Sequence, residues 1–426
     1  MAWKKDKFKN IIKHKSGYTW SKEQETKFPE PKTVRVLTVT NVQKELDLSS
    51  ELYLKDVKDV DKVKKAVSKH WSIAVSSNGN RKRIGNAVYI KEDSEYLFAS
   101  FLTAFKPKKD ADILPEYFFR WLKSHQIQER ITAVSEGTTG LGNLDIRFLR
   151  NMDIEYPETS SEQIAIDNIL SKVDETIEAT KNSVKASEKL KKALIQNLLT
   201  GKLKPDGTWR AENEFFEDEK IGIVPKDWVL SRIKKVIKLK NGKGNTTSNL
   251  RSEPDNKYNI PVFGGNGITG YYHTPLLNQS TLLIGRVGEY CGNVFMTPTL
   301  SWVTDNAMLV KEFLIDEYSL EFFKYKFNTL NFINYSDTTG QPKLTQSSIG
   351  SILFCYPKDL EEQKMIAKKI NEVEINIDEK QTKIQKLQRL KKSLMQNLLT
   401  GKIRLPANFI AQFENKLEAT NSKVEQ

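Results

Sequence analysis

Two stretches of the chain carry apolar residues at steps of mostly three, four or seven. The first holds Ile166, Leu170, Val173, Ile177, Val184, Leu190, Leu194 and Leu198. The second holds Ile366, Ile370, Val373, Ile377, Ile384, Leu387, Leu390, Leu394 and Leu398. This spacing predicts a long helix with a near-heptad apolar seam in each. No proline falls between Pro157 and Pro205, or between Pro357 and Pro406. Glu158-Thr159-Ser160-Ser161 supplies a start, and Thr200-Gly201 and Thr400-Gly401 supply glycine stops. About 36 residues at ~1.5 Å each reach roughly 54 Å. A seam of that length needs a partner, and each helix is the obvious partner of the other. The expected coiled-coil contacts are Ile166, Val173, Ile177, Val184 and Leu194 with Ile366, Val373, Ile377, Ile384 and Leu394.

The two seams belong to an internal repeat. Residues 190–202 and 390–402 are identical at eleven of thirteen positions. The same offset of 200 pairs Glu162-Gln163 with Glu362-Gln363 and Tyr156-Pro157 with Tyr356-Pro357. It also pairs Thr138-Thr139-Gly140 with Thr338-Thr339-Gly340 and Leu144 with Leu344. Upstream, Trp3, Ile12 and Gly17 match Trp228, Ile237 and Gly242 at an offset of 225, so the second copy is 25 residues shorter in its variable part. Each copy reads as a variable globe followed by a long helix. A pseudo-twofold relation between the copies makes the helices antiparallel and sets the globes at opposite ends of them.

The globes alternate short strand patterns with helical ones, which predicts an α/β class. Strand candidates are 34–39, 71–76, 86–90 and 97–105 in the first, and 281–284, 292–296 and 307–310 in the second. An aromatic helix pattern follows in each, around Glu116-Tyr117-Phe118-Phe119 and Glu321-Phe322-Phe323-Lys324. Those rings are expected in the core. The predicted division is a globe at 1–157, a helix at 158–205, a second globe at 206–357 opening on a linker at 206–227, a helix at 358–405, and a tail at 406–426. The tail carries Phe409, Ile410, Phe413 and Leu417 at helical spacing. It reads either as a short docking helix or as a frayed end.

Charge narrows the function. The 426 residues carry 67 Lys and Arg against 54 Asp and Glu, a net of +13, which favours a polyanionic partner. The loops between strands are rich in Gly, Asn, Ser and basic residues, in both copies. Arg, Lys, Asn and Gln can make bidentate contacts to base edges, and glycine-loop amides can hold phosphates. Candidate DNA contacts are Asn78, Asn80, Arg81, Lys82 and Arg83 in the first globe. In the second they are Asn266, Tyr271, Arg286, Gln341 and Lys343. Two cysteines, Cys291 and Cys355, build no disulfide framework and fit a reducing cytoplasm. No apolar run approaches ~18 residues, and the amino terminus lacks one, so neither a signal peptide nor a membrane span is expected.

Catalytic signatures do not emerge. Gly265-Asn266-Gly267-Ile268-Thr269-Gly270 spells a dinucleotide motif, but Tyr271-Tyr272-His273-Thr274-Pro275 after it reads as strand and turn rather than helix. There is no phosphate-loop motif and no Asn/Asp-Pro-Pro-aromatic tetrapeptide. His14, His70, His125 and His273 are isolated from ligand-spaced partners, so no metal site is expected. The chain reads as a non-enzyme that lends specificity to catalysts elsewhere.

Leu-Leu-Thr-Gly-Lys closing a long helix twice, after a Glu-Gln-x-x-Ile opening, resembles the specificity subunit of type I restriction-modification systems. The paired Tyr-Pro before each helix and the Thr-Gly upstream are similar to that family too. The resemblance covers about residues 1–405. It implies two α/β target recognition domains, each reading one half of a split duplex DNA target, with the helices as spacer. It implies assembly with two methyltransferase subunits and with motor-nuclease subunits. S-adenosylmethionine, ATP and Mg2+ would then belong to those partners, and this chain would hold no cofactor. Leu198, Leu199, Thr200, Gly201 and Lys202, with Leu398, Leu399, Thr400, Gly401 and Lys402, read either as helix termination with packing or as a docking surface for the methyltransferase. The alternative function is a non-catalytic coiled-coil scaffold that joins protein partners without reading DNA. An independent nuclease or methyltransferase with an unrecognised site is a second rival.

Overall fold

The computed structural model describes residues 2–92, 95–135, 142–244, 247–337 and 340–421. The two seams form helices of 39 residues each, Ser160–Leu198 and Leu360–Leu398. The chain divides into two compact units, residues 1–180 with 382–426, and residues 181–381. Each unit therefore contains one globe, the first half of the helix that leaves it, and the second half of the other helix.

In the first unit the strand Trp3–Lys7 pairs antiparallel with Asp153–Pro157, so the segment entering the long helix is tied to the start of the chain. A four-stranded antiparallel sheet runs in the order Ile12–Ser16, Leu102–Pro107, Ser72–Val75, Ala87–Tyr89. A second four-stranded sheet is built from Glu25–Thr26, Tyr53–Leu54, Val34–Leu37 and Leu97–Phe98. The expected single strand over 97–105 is in fact two, Leu97–Phe98 and Leu102–Pro107, one in each sheet. A turn with Leu102 N donating to Ala99 O at 2.9 Å carries the chain from one sheet to the other.

The second unit repeats the frame. Trp228–Arg232 pairs with Leu353–Pro357. The four-stranded sheet runs Ile237–Asn241, Ala307–Phe313, Leu282–Gly285, Val294–Met296. Here the strand expected from 292 begins only at Val294, because Gly292 adopts a φ of +95° in the preceding turn. Gly267–Tyr272, Ile260–Gly264 and Trp302–Val303 make a three-stranded sheet.

The aromatic helices are core elements, as their pattern predicts. Phe8 packs edge-on to Phe105 at 5.6 Å and to Phe118 at 5.9 Å. Phe322, Phe323, Phe327 and Phe354 fill the second core. Leu398 and Leu399 close the first core and Leu198 and Leu199 close the second. The ends of the long helices are thus buried inside the globes they pack on, where apolar burial contributes about 25 cal/mol per Å2.

Within each unit the helix halves run antiparallel. Glu162 meets Arg404 and Asp174 meets Lys391 in the first. Lys191 meets Glu374 at 2.7 Å in the second, and Ser187 Oγ lies 3.4 Å from Asn376 Oδ1. Ile166, Ile177, Val184, Ile366 and Ile377 are buried, and Val173, Leu194, Val373, Ile384 and Leu394 are half-buried. Leu190 and Leu390 depart from the predicted seam, being 51 % and 47 % exposed. Steps of four residues turn a stripe by ~40° each, so these leucines stand ~80° from Leu198 and Leu398. The tail forms the helix Ala407–Asn421, and its Ile410 and Phe413 pack on Ala165. No helix among the described residues is long and apolar enough to cross a membrane.

Candidate nucleic-acid interface

Each globe gathers its polar loop residues at one edge. In the first, Ser77–Asn78 pairs antiparallel with Gly142–Asn143, and Leu144 N donates to Ser76 O at 2.8 Å. Asn78 Oδ1 accepts from Asn80 N at 2.9 Å, and Asn80 Oδ1 accepts from Lys82 N at 3.1 Å. These two side-chain turns wind 81–83 into a single 3-10 turn. Arg81 and Lys82 are exposed on it. A Cβ on Gly142 would stand 3.1 Å from Arg81 Cγ, a tight contact that would shift the arginine by a few tenths of an ångström.

Arg83 does not belong with them. Its guanidinium turns inward and donates to Val39 O at 2.9 Å and Val42 O at 3.0 Å. A guanidinium with two carbonyl partners inside the fold braces the loop, and its expected base contact is corrected to a structural role. Likewise the side chains of Asn78 and Asn80 spend an acceptor on the loop's own backbone and shape it.

In the second globe three segments converge. Leu344 N donates to Arg286 O at 2.8 Å, and Gly288 N donates to Pro342 O at 3.0 Å. Val287 forms an isolated bridge with Lys343. The hairpin tip carrying Asn266 closes against the same loop, since a Cβ on Gly285 would lie 2.5 Å from Gly265 O. Asn266, Gln341 and Lys343 are exposed there. Arg286 is half-buried, its Nη1 3.4 Å from Asp305 O, and its Nε is buried without a hydrogen-bond partner. Tyr271 lies elsewhere: it pairs with Pro261, at the far end of the hairpin from the Gly264–Gly267 pair. The hairpin also disposes of the dinucleotide motif, whose glycines sit in strand and turn rather than at a helix start.

Thr138, Thr139, Gly140, Thr338 and Thr339 lie outside the described residues, while Gly340 is exposed.

Behind the edges stands a repeated frame. Gln163 is buried; its Nε2 donates to Pro157 O at 2.9 Å and to Asp112 O at 2.8 Å, and its Oε1 accepts from Leu114 N. Gln363 repeats this with Pro357 O and Ser319 N, each at 2.9 Å. Arg120 bonds Asp167 and Asp174, and Tyr325 bonds Glu374 at 2.6 Å. Burial pushes the Asp174 carboxyl up, but the Lys391 and Arg120 hydrogen bonds outweigh it and hold it below the usual range. Glu374 follows the same pattern: burial raises it, and Lys191 with Tyr325 more than compensates. Lys326 is buried and donates to Leu199 O at 2.7 Å, at the closing end of the first long helix.

The Leu-Leu-Thr-Gly-Lys motif resolves toward termination and packing. Leu198, Leu199, Leu398 and Leu399 are buried in the cores and present nothing to a partner. Gly201 and Gly401 take φ of +71° and +69°, the left-handed stop. Each sits against a tryptophan, Trp228 or Trp3, at about the contact distance that a Cβ would violate. Thr200 and Thr400 bond back to Gln196 O and Gln396 O. The termination and packing reading accounts for the leucines and glycines, while Lys202 and Lys402 stay exposed.

One group escaped the sequence reading. Tyr258, Tyr272, His273 and Trp302 form a ring cluster, with Tyr272 5.5 Å from Trp302 and Tyr258 5.5 Å from His273. Arg251 stacks over Tyr258 at 5.3 Å. Its members come from three separate stretches of chain, so no local spacing signals it. Among the described residues no group of three or more His, Cys, Asp or Glu is disposed to hold a metal ion.

Comparison with known proteins places this frame. The family model for the type I restriction modification DNA specificity domain matches residues 2–186 and 225–389. The chain is 25% identical over 430 residues to the MjaX specificity subunit of Methanocaldococcus jannaschii, covering 95% of this chain and 94% of that one. It is 25% identical over 329 residues to the type I restriction enzyme MjaVIII specificity subunit of the same organism, covering 68% and 70%. The crystal structure of the type I restriction-modification S subunit from M. genitalium aligns over 93% of this chain and 96% of that chain, at 18% identity and a TM-score of 0.58.

Proposed function

The chain belongs to the type I restriction-modification DNA specificity family, and from that premise we propose that it reads a two-part duplex target, one half-site per globe. It is the non-catalytic DNA-specificity component of its system. The observation that carries the two-part reading is the double occurrence of one frame with different loops at the same edge. Asn78, Asn80, Arg81 and Lys82 stand at that edge in one copy, and Asn266, Arg286, Gln341 and Lys343 in the other. A scaffold that joined proteins without DNA would have no use for two such cationic edges.

The proposed division is recognition at 1–157 and 206–357, spacing by 158–205 and 358–405, and an accessory role for 406–426. Two methyltransferase subunits dock on the helices, and motor-nuclease subunits join them. Leu190 and Leu390 support this docking, because they occupy the same place in both helices and are exposed in both. S-adenosylmethionine, ATP and Mg2+ act in those partners.

The test is to co-express the chain with its methyltransferase subunits in an unmethylated host and sequence the modified bases. An interrupted motif with two unlike half-sites is expected. A single contiguous motif, or methylation independent of this chain, would refute the two-part reading.

A further inference from the structure

Away from the recognition edges, one strand is nearly the same in both copies. Residues 12–17 read Ile-Lys-His-Lys-Ser-Gly and residues 237–242 read Ile-Lys-Leu-Lys-Asn-Gly. The loops have diverged between the copies, while this stretch keeps four of its six positions. Alternate positions on a regular strand share a face, so Lys13 and Lys15 point the same way, about 7 Å apart at ~3.4 Å per residue; in the second copy the register shifts between Lys238 and Leu239. Each strand ends at a glycine wedged against main chain. A Cβ on Gly17 would lie 1.9 Å from Ala99 O, and one on Gly242 would lie 2.1 Å from Thr304 O. The backbone under the lysines is therefore held in the same way twice.

Lys13 and Lys15 in the first copy and Lys240 in the second gather further cations, whereas Lys238 stands opposite Glu312 across the sheet. In the first unit Lys13 and Lys15 stand over the Trp71 ring at 5.5 and 4.9 Å. Lys106 faces Lys13 directly across the sheet, and like charges in that position repel. Lys65 reaches Ser16 Oγ at 2.9 Å. Burial, then Lys13, Lys106 and Lys65, push the Lys15 ammonium down against the pull of Glu95. In the second unit Lys240, Lys243 and Lys311 line a cavity of about 460 Å3, which has no acidic side chain in its wall. Cations held together at a cost to the free protein are relieved when an anion arrives.

We propose that this strand is each globe's sequence-independent grip on the phosphodiester backbone of duplex DNA, made by Lys13 and Lys15 in the first unit and by Lys240, Lys243 and Lys311 in the second. The proposal rests on the DNA-reading function above and assigns it a second surface. Phosphate contacts carry no base information, which fits Lys15 and Lys240, the one grip position that is the same in both copies while the loops change. The grip sets the register, and the loop edge reads the bases.

The experiment uses the full chain with its methyltransferase partners and two duplexes, one carrying the mapped motif and one scrambled. The variant Lys13→Ala/Lys15→Ala/Lys240→Ala/Lys243→Ala is compared with a control, Lys220→Ala/Lys226→Ala, at exposed positions of the 206–227 linker. Affinity for both duplexes is expected to fall by the same factor, at least tenfold, with the ratio between them unchanged. The slope of log K against log salt should shrink by ~0.9 per lost phosphate contact. Arginine at the same four positions should restore binding, which separates lost charge from lost fold. Unchanged affinity and slope would overturn the grip. So would a control that, lysine for lysine, loses as much, or a variant that loses only its preference for the motif. A parent complex that binds both duplexes equally, yet weakens with the variant, would sink the base-reading function and leave the grip standing.

Discussion

Glu162 and Arg404 form a two-point fork, both N–O separations 2.7 Å, although 242 positions separate them along the chain. Glu162 opens the first long helix and is 1 % exposed, while Arg404 follows the end of the second and lies 5.6 Å over the Trp3 ring. The second unit builds the same lock with an arginine from a different place in the repeat: Glu362 accepts from Arg210 at 3.0 Å and from Trp228 Nε1 at 3.2 Å. One helix start, one helix end and one tryptophan are thus joined in each unit.

Arg404→Ala would leave a buried carboxylate unpaired. A loss of about 2–3 kcal/mol is expected, below the ~3–5 of a fully buried pair because Arg404 is partly exposed. Denaturant unfolding of the intact chain, followed by circular dichroism, measures it. A change under ~0.5 kcal/mol would show that the fork is ornamental.

Acid should weaken the same helix pairings. The Asp174 and Glu374 carboxyls lie below their ordinary range in the folded chain, since burial is outweighed by hydrogen bonds to Lys391 and Lys191 and their neighbours. A group with a depressed folded pKa contributes stability that is complete above its unfolded value. That stability is lost as pH falls through the folded value. Melting temperature is therefore expected to drop below about pH 4, the carboxylate range. The double variant Asp174→Asn/Glu374→Gln should start lower and respond less steeply to acid. Parallel curves for parent and variant would refute the assignment.

Arg81 and Arg83 are neighbours in sequence with opposite duties. Arg81→Ala should relax the methylated motif in one half-site, at about 1–3 kcal/mol of discrimination per bidentate base contact. Arg83→Ala should instead cost stability, because two carbonyl partners lose their donor. Methylome sequencing and thermal unfolding of the two variants separate these outcomes. Identical phenotypes would contradict the division.

The repeat makes a fragment informative. The first core needs Met395, Leu398 and Leu399, which a chain of residues 1–205 lacks. Residues 190–202 match 390–402 at all but two positions, Ala193 for Ser393 and Ile195 for Met395. A second copy of the fragment can therefore fill the core with its own Leu198 and Leu199. The fragment is expected to sediment as a twofold dimer, and Leu198→Asp should abolish it by burying an unpaired charge. A stable monomeric fragment would argue against the exchange.

The helices, their ends and the duplication were legible in the sequence because each is a local or periodic signal: the seam at helical spacing, glycine at the stop, and a stretch repeated at eleven of thirteen positions. The family resemblance followed from the same residues. The loops were legible only as composition. Arg81 and Arg83 carry the same chemistry in sequence, and the tertiary neighbours Val39 and Val42 alone turn one of them inward. Leu198 and Leu190 look equally like seam residues, yet one is buried and the other exposed, because a stripe in steps of four drifts around the helix while the packing surface does not. Tertiary structure also decided that the leucines of Leu-Leu-Thr-Gly-Lys plug a core. Antiparallel pairing brings the end of each helix to the globe from which the other departs, so Leu398 and Leu399 find their core more than two hundred residues back along the chain, beyond the reach of any local pattern.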